Sequence, residues 1–205
     1  MKKIISNRLL NELQAEVRAM MDGIHRLQQE DPEHLVQAPA PGKWSAAQVL
    51  AHLVSYGDYY LPAIQKAMEK ESAPSMLFKP GPIGNYFTLL MQAAPDGTAR
   101  KKMKAPKQHR PAPDTDWYPV KEKFLQQQKV LLELLETAQH RNIGSTRVPI
   151  SLTRFIRLKL GDTFRFLVAH EHRHFMQLQR AVAACRQNGL AAADANQLQS
   201  LAAGG

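Results

Sequence analysis

Cysteine occurs once in the 205 residues, at Cys185, so no internal disulfide can staple the fold. A lone thiol suits a reducing compartment, and a cytoplasmic protein is expected. No apolar run is long enough to span a bilayer. The leading Met-Lys-Lys-Ile-Ile turns polar at Ser6, Asn7 and Arg8, too short an apolar stretch for a secretory signal. The chain also lacks an internal repeat and strand-like alternation of any length. These absences argue against a disulfide scaffold, a membrane span, a solenoid and an all-β fold. What is present, 44% hydrophobic and 22% charged residues, is ordinary for a globular domain long enough to bury one core.

Negative charge is in short supply, leaving a net +9. Between Pro95 and Pro113, six bases (Arg100, Lys101, Lys102, Lys104, Lys107 and Arg110) face one acid, Asp96. That stretch is proline-rich and poor in large aliphatics, so it reads as an exposed loop. It holds no aromatic residue for stacking on bases, so a nucleic-acid partner is not expected. A polyanion-binding role for the 100–110 loop is a second alternative function, and it predicts a steep salt dependence of binding. A more diffuse excess runs from Arg147 to Arg186, with eight Lys/Arg against two acids.

Four segments show helical periodicity. In the first, Leu9, Leu13, Val17, Met20, Ile24 and Leu27 form one apolar stripe, stopped by Asp31-Pro32. The second starts at Ser45-Ala-Ala-Gln48, a capping box, with Trp44 and Val49 at hydrophobic-staple spacing. Val49, His52, Leu53, Tyr56, Tyr60 and Ile64 then share a face, and Pro62 is placed to kink the helix near its end. The third carries Phe124, Leu131, Leu134, Leu135 and Ala138, with Pro119 in its first turn and Gly144 as its stop. The fourth is expected after Gly161-Asp162, the aspartate capping free amides, and runs towards Gly189. Residues 71–116 form a long connection between the second and third helices, with one short helix around Tyr86 to Met91. The expected architecture is all-α, an antiparallel four-helix bundle over residues 1–189 with one long crossover, followed by a tail at 190–205.

Chemistry concentrates in His170-Glu-His-Arg-His174. Histidines at i and i+4 lie one turn apart, roughly 5–6 Å between Cβ atoms, and can converge on one ion. Both fall on the stripe of Leu167, Leu178 and Ala181, whereas His172 sits about 200° round the helix from His170 and faces solvent. A strand would put all three on one face, but the flanking apolar pattern fits a helix. His52 lies on the apolar face of the second helix, where leucine would otherwise be expected. Two inward histidines on one helix and one on another make three neutral nitrogen donors with a coordination position left open. Zinc or nickel suits imidazole best, and iron or manganese is also compatible.

The same five residues satisfy H-E-x-x-H, the zinc-peptidase signature. Its extension fails here: one class needs glycine and histidine where Gln177 and Arg180 stand. The other needs a downstream glutamate, and Asp194 is the only acid after Glu171.

The stretches Trp44-Ser-Ala-Ala-Gln-Val-Leu-Ala-His52-Leu and Gly161-Asp-Thr-Phe-Arg-Phe-Leu-Val-Ala-His170-Glu-His-Arg-His174-Phe-Met-Gln177 resemble the two signature segments of the DinB/YfiT-like metalloenzymes. The resemblance implies a four-helix bundle with His52, His170 and His174 as ligands of a divalent metal. The lysine- and proline-rich loop has no counterpart in it. Some members of that family are transferases using a low-molecular-weight thiol, and others look like isomerases or hydrolases. The expectation is therefore a metal-dependent transferase or hydrolase that activates a thiol or water against a small substrate. A non-catalytic metal- or ligand-binding bundle module is the alternative.

Around the site, Tyr56 follows His52 by one turn and is a candidate hydrogen-bond donor, Glu171 a candidate base, and Gln177 a candidate to orient a ligand. Arg173 reads as a surface ion pair and Cys185 as a small buried hydrophobe. His25, His34, His109 and His140 show no ligand spacing. Pairing of exposed helix faces into a homodimer is also an expectation.

Overall fold

The computed structural model describes the backbone of residues 1–92, 104–151 and 153–203, and the side chains of these except 153, 154 and 192–203. Four long helices form the bundle: α1 (Ser6–Arg26), α3 (Ala46–Met68), α5 (Trp117–Ala138) and α6 (Leu160–Ala203). α1 and α3 each pack against both α5 and α6, so they occupy opposite corners. The fold is the all-α antiparallel bundle expected from the periodicity. The apolar stripes become its core, with Leu10, Val17, Ile24, Leu50, Ile64, Leu131, Leu135, Leu167 and Leu178 fully buried.

Local signals explain most boundaries. The Ser45 hydroxyl accepts from the Gln48 amide and the Gln48 side chain accepts from the Ser45 amide, so the capping box forms in full. α3 runs through Pro62 without ending there. Asp116 caps α5 by accepting from the Tyr118 amide, which puts Pro119 in the first turn. Asp31-Pro32 does more than stop α1. Asp31 caps a new short helix, α2 (Pro32–Val36), by accepting from the Glu33 amide.

Three features depart from the periodicity reading. α6 does not end at Gly189 but continues to Ala203, because alanine and glutamine are good helix formers and one glycine costs only about 1 kcal/mol. Asp162 does not cap α6, which begins two residues earlier. Its carboxylate accepts from the Gly81 amide at 2.7 Å, the N-cap of α4 (Pro82–Met91), and from Arg165 at 3.3 Å. A Cβ on Gly84 would sit 2.3 Å from the Asp162 Cβ, so glycine is what lets α4 lie this close to α6. Finally, strands are present. β1 (Ile4–Ile5) pairs with β2 (Leu77–Phe78), and β3 (Arg147–Ile150) with β4 (Thr153–Lys159), both antiparallel. In the second hairpin Val148, Ile150 and Leu158 turn inward while Arg147, Phe155 and Arg157 face out, a period of two compressed into a few residues.

The connection from α3 to α5 carries α4 onto α6 and then returns across α3 through a 3-10 turn at Lys107–His109. Of the basic loop, Lys104, Lys107 and Arg110 are exposed, whereas Arg100, Lys101 and Lys102 lie outside the described residues.

Candidate metal centre

His52 from the second turn of α3 meets His170 and His174 from α6 across the bundle. One ligand nitrogen from each lies within 4.8 Å of the others. The rings of His52 and His174 have centroids 4.6 Å apart, and His170 stands 5.2 Å from His52. His52 is 2% exposed and His170 3%. Burial, the leading cause in each case, pushes His52 down to about 4 and His174 down to about 3, and holds His170 well below its ordinary value. All three imidazoles are thus neutral at pH 7, the form that ligates a metal. His172 is exposed, as helical phasing requires.

Hydrogen bonds fix two of the tautomers. His52 Nδ1–H donates to the His109 carbonyl at 2.6 Å, and a carbonyl only accepts, so Nε2 carries the free lone pair. His174 Nδ1–H donates to Gln177 Oε1 at 3.0 Å, with the same result. His170 Nδ1 is buried with no partner among the described residues. Metal-ligating histidines characteristically donate their second ring N–H to a carbonyl or carboxylate, which fixes the ring. The donor set, the two oriented tautomers and the orphaned third ring fit a divalent cation.

The other expected residues divide. Tyr56 lies against the centre, its ring 4.2 Å from His170 and 5.0 Å from His52, and burial pushes its hydroxyl up to about 12. Glu171 is 2% exposed but turns to α5, accepting from Gln128 Nε2 at 3.0 Å, and its other oxygen is buried without a partner among the described residues. Burial pushes its carboxyl up to about 8. Gln177 orients His174 as its i+3 spacing suggested. Arg173 is part-buried and donates to the Leu90 carbonyl at 3.0 Å. Cys185 is buried, with Sγ 3.3 Å from the Gln37 carbonyl.

His109 went unrecognised in the sequence, because a loop histidine has no helical phase to betray it. It is 4% exposed, and its ring lies tilted against Tyr56, with centroids 4.0 Å apart. Ser55 spends its one proton on the His52 carbonyl at 2.7 Å, so its oxygen accepts from His109 Nδ1–H at 3.0 Å. Gln48 Nε2 donates to the Ala112 and Pro113 carbonyls at 3.1 and 3.2 Å. Residues 48, 52 and 55 of α3 thereby grip the strap that presents a carbonyl to His52. Ser55→Ala removes the ring anchor of that strap and should weaken metal binding about 10-fold, the low end for a second-layer contact. Competition against a chromophoric chelator measures it; unchanged affinity would mean the strap does not orient His52.

A helical bundle that gathers three inward histidines from two helices belongs to the class of bundle proteins with a metal-type site in the core. Comparison narrows this class: the family model of the DinB superfamily matches residues 9–178, and the chain belongs to that superfamily. No curated protein and no solved structure gives a match. Among the described residues, no helix is long and apolar enough to cross a membrane.

Proposed function

We propose that His52, His170 and His174 hold one divalent metal ion, zinc or nickel by preference, and that the protein is a metal-dependent enzyme acting on a small substrate. The observation that carries this reading is the pair of locked tautomers, which leave Nε2 of His52 and His174 free beside a buried, unpartnered His170. Such an ion lowers the pKa of a coordinated thiol or water and so supplies a nucleophile at neutral pH. The chain's own contribution is a neutral three-nitrogen set, a buried wall formed by Tyr56 and the strap, and a fourth direction left for substrate. Three protein ligands favour catalysis over a purely structural role, which normally takes four. Tyr56 is assigned to position the substrate. Glu171 is assigned a supporting part, holding α6 to α5 beside His170.

Protein purified anaerobically should contain about one equivalent of divalent metal by elemental analysis. It should transfer cysteine or glutathione to a chromogenic aryl electrophile, or hydrolyse a member of an ester and amide panel. No metal uptake from added zinc, nickel, manganese or iron would overturn the metal reading. Full metal occupancy without turnover on any of these substrates would favour the non-catalytic module.

A further inference from the structure

The basic excess between Arg147 and Arg186 finds no role in the histidine centre, yet the fold gathers part of it in one place. A cavity of about 900 Å³ lies between the outer face of α3 and the β3–β4 hairpin. Lys66 in the last turn of α3 and Lys70 just beyond its end line one wall, and Arg147 and Arg157 the hairpin wall, while Glu71 is the one acid in the lining. In the hairpin register Arg157 is opposite Pro149, two residues along from Arg147, so the two guanidinium groups leave adjacent strands on the same outward face. Among the described residues, no carboxylate pairs with Lys66, Lys70, Arg147 or Arg157.

Like charges gathered around one concavity, or diagonal across two strands, repel. Arg147 Nη1 donates to the Gly144 carbonyl at 3.3 Å, but among the described residues no carboxylate forms an ion pair with any of the four, although carboxylates elsewhere on the surface are paired with bases. The floor beneath them is apolar and small, made by Ala63, Ala67 and Pro149. The walls are also tied in place. Tyr59 Oη donates to the Ile150 carbonyl at 2.9 Å, and the Ser151 amide donates to Tyr60 Oη at 3.2 Å. At the base of the hairpin the Asn142 amide donates to Ser72 Oγ at 3.0 Å, and Arg141 Nε to the Met68 carbonyl at 3.1 Å. The concavity is therefore preformed, and its volume falls in the range of small-ligand pockets, about 300–1,000 Å³.

From this we infer a second ligand site, separate from the histidines, that binds a small molecule carrying a polyphosphate group. Four cations around a shallow apolar floor match a short chain of phosphates whose organic part, if any, rests on the alanines and Pro149. Arginine supplies planar forks and lysine point charges, both common phosphate partners. An extended nucleic-acid strand is the less favoured occupant, since it needs a longer cationic track with aromatic platforms, and the cations here converge on one bowl.

The test is calorimetric titration of the full chain at 50 mM salt with inorganic tripolyphosphate, ATP and single-stranded dT12. Tripolyphosphate and ATP should bind with micromolar dissociation constants. The Lys70→Glu/Arg157→Glu variant should weaken both more than 10-fold, as should the milder Lys70→Gln/Arg157→Gln. A control of equal charge change at exposed sites away from the groove, Lys43→Glu/Lys129→Glu, should shift them less than 3-fold. ATP tighter than tripolyphosphate identifies a nucleotide as the source of the phosphates, and equal affinities identify free polyphosphate. The proposal is overturned by absent binding of both small probes, by equal losses in groove and control variants, or by dT12 binding at least 10-fold tighter than either. None of these outcomes depends on metal, so the histidine reading stands or falls separately.

Discussion

Replacing His170 with leucine should weaken metal binding by about two to four orders of magnitude while leaving the metal-free protein at least as stable as the wild type. The first half follows from the donor count. Binding free energies of about 10–16 kcal/mol at structural zinc sites, divided among three or four ligands, make each worth about 2.5–5 kcal/mol. At about 1.4 kcal/mol per tenfold, losing one ligand weakens binding by about two to four orders of magnitude. The second half follows from the orphaned nitrogen. His170 is buried and its Nδ1 has no partner among the described residues, a situation that costs about 1–3 kcal/mol in a folded protein without metal. Leucine fills a similar volume among Leu167, Phe166 and Tyr56 without that penalty. Chelator-treated His170→Leu protein should therefore melt a few degrees above the chelated wild type, at about 2–4 °C per kcal/mol for a chain of this size. His172→Leu, on the exposed side of the same helix, should change neither quantity. Metal retained by the leucine variant would sink the site, and a melting point well below wild type would make His170 a structural residue.

The bundle was legible because its helices bury amphipathic stripes, and a stripe is a property of spacing alone. The same logic found all three histidines, since a polar side chain on an apolar face stands out wherever the period is clear. It also separated His172 from His174. What spacing could not reveal was anything contributed by a segment without a period. His109 reaches the centre only because the chain between α4 and α5 folds back over α3, and neither Ser55 nor Gln48 advertises that it grips this strap. Asp162 illustrates a subtler loss. An aspartate at the start of a helix is a reasonable cap, but the start of a neighbouring helix, the amide of Gly81, competes for it and wins in three dimensions. The hairpin at 147–159 was missed because its inward residues Val148, Ile150 and Leu158 are too few to outweigh the surrounding helical pattern. The Glu171–Gln128 contact likewise joins two helices whose rotational register only packing decides.

Glu171 makes the metal-free protein lose stability as pH rises above neutrality, and Glu171→Gln should remove that loss. In the unfolded chain this carboxyl titrates near 4.5, whereas burial in the fold pushes it up to about 8. The folded state therefore holds a proton that the unfolded state gives up, so its contribution is complete below 4.5 and drains away as pH climbs towards 8. The histidines act in the opposite sense. His52 and His174 titrate near 6.5 unfolded and are pushed down to about 4 and about 3 in the fold, and His170 is lowered too. Their contribution is complete above 6.5 and is lost on acidification. Chelated wild type should therefore be most stable near pH 6.5. Of these four groups only Glu171 titrates above that point, and over about 1.5 pH units at about 1.4 kcal/mol each it removes roughly 2 kcal/mol. In thermal melts this amounts to about 4–8 °C between pH 6.5 and 8. Glutamine cannot ionise, yet it keeps the carbonyl oxygen that accepts from Gln128, so the variant should hold a level melting point across that interval while showing the same acid limb. Parallel profiles for the two proteins would mean that the Glu171 carboxyl is not buried in the neutral form, and that α6 is turned differently against α5 beside the histidines.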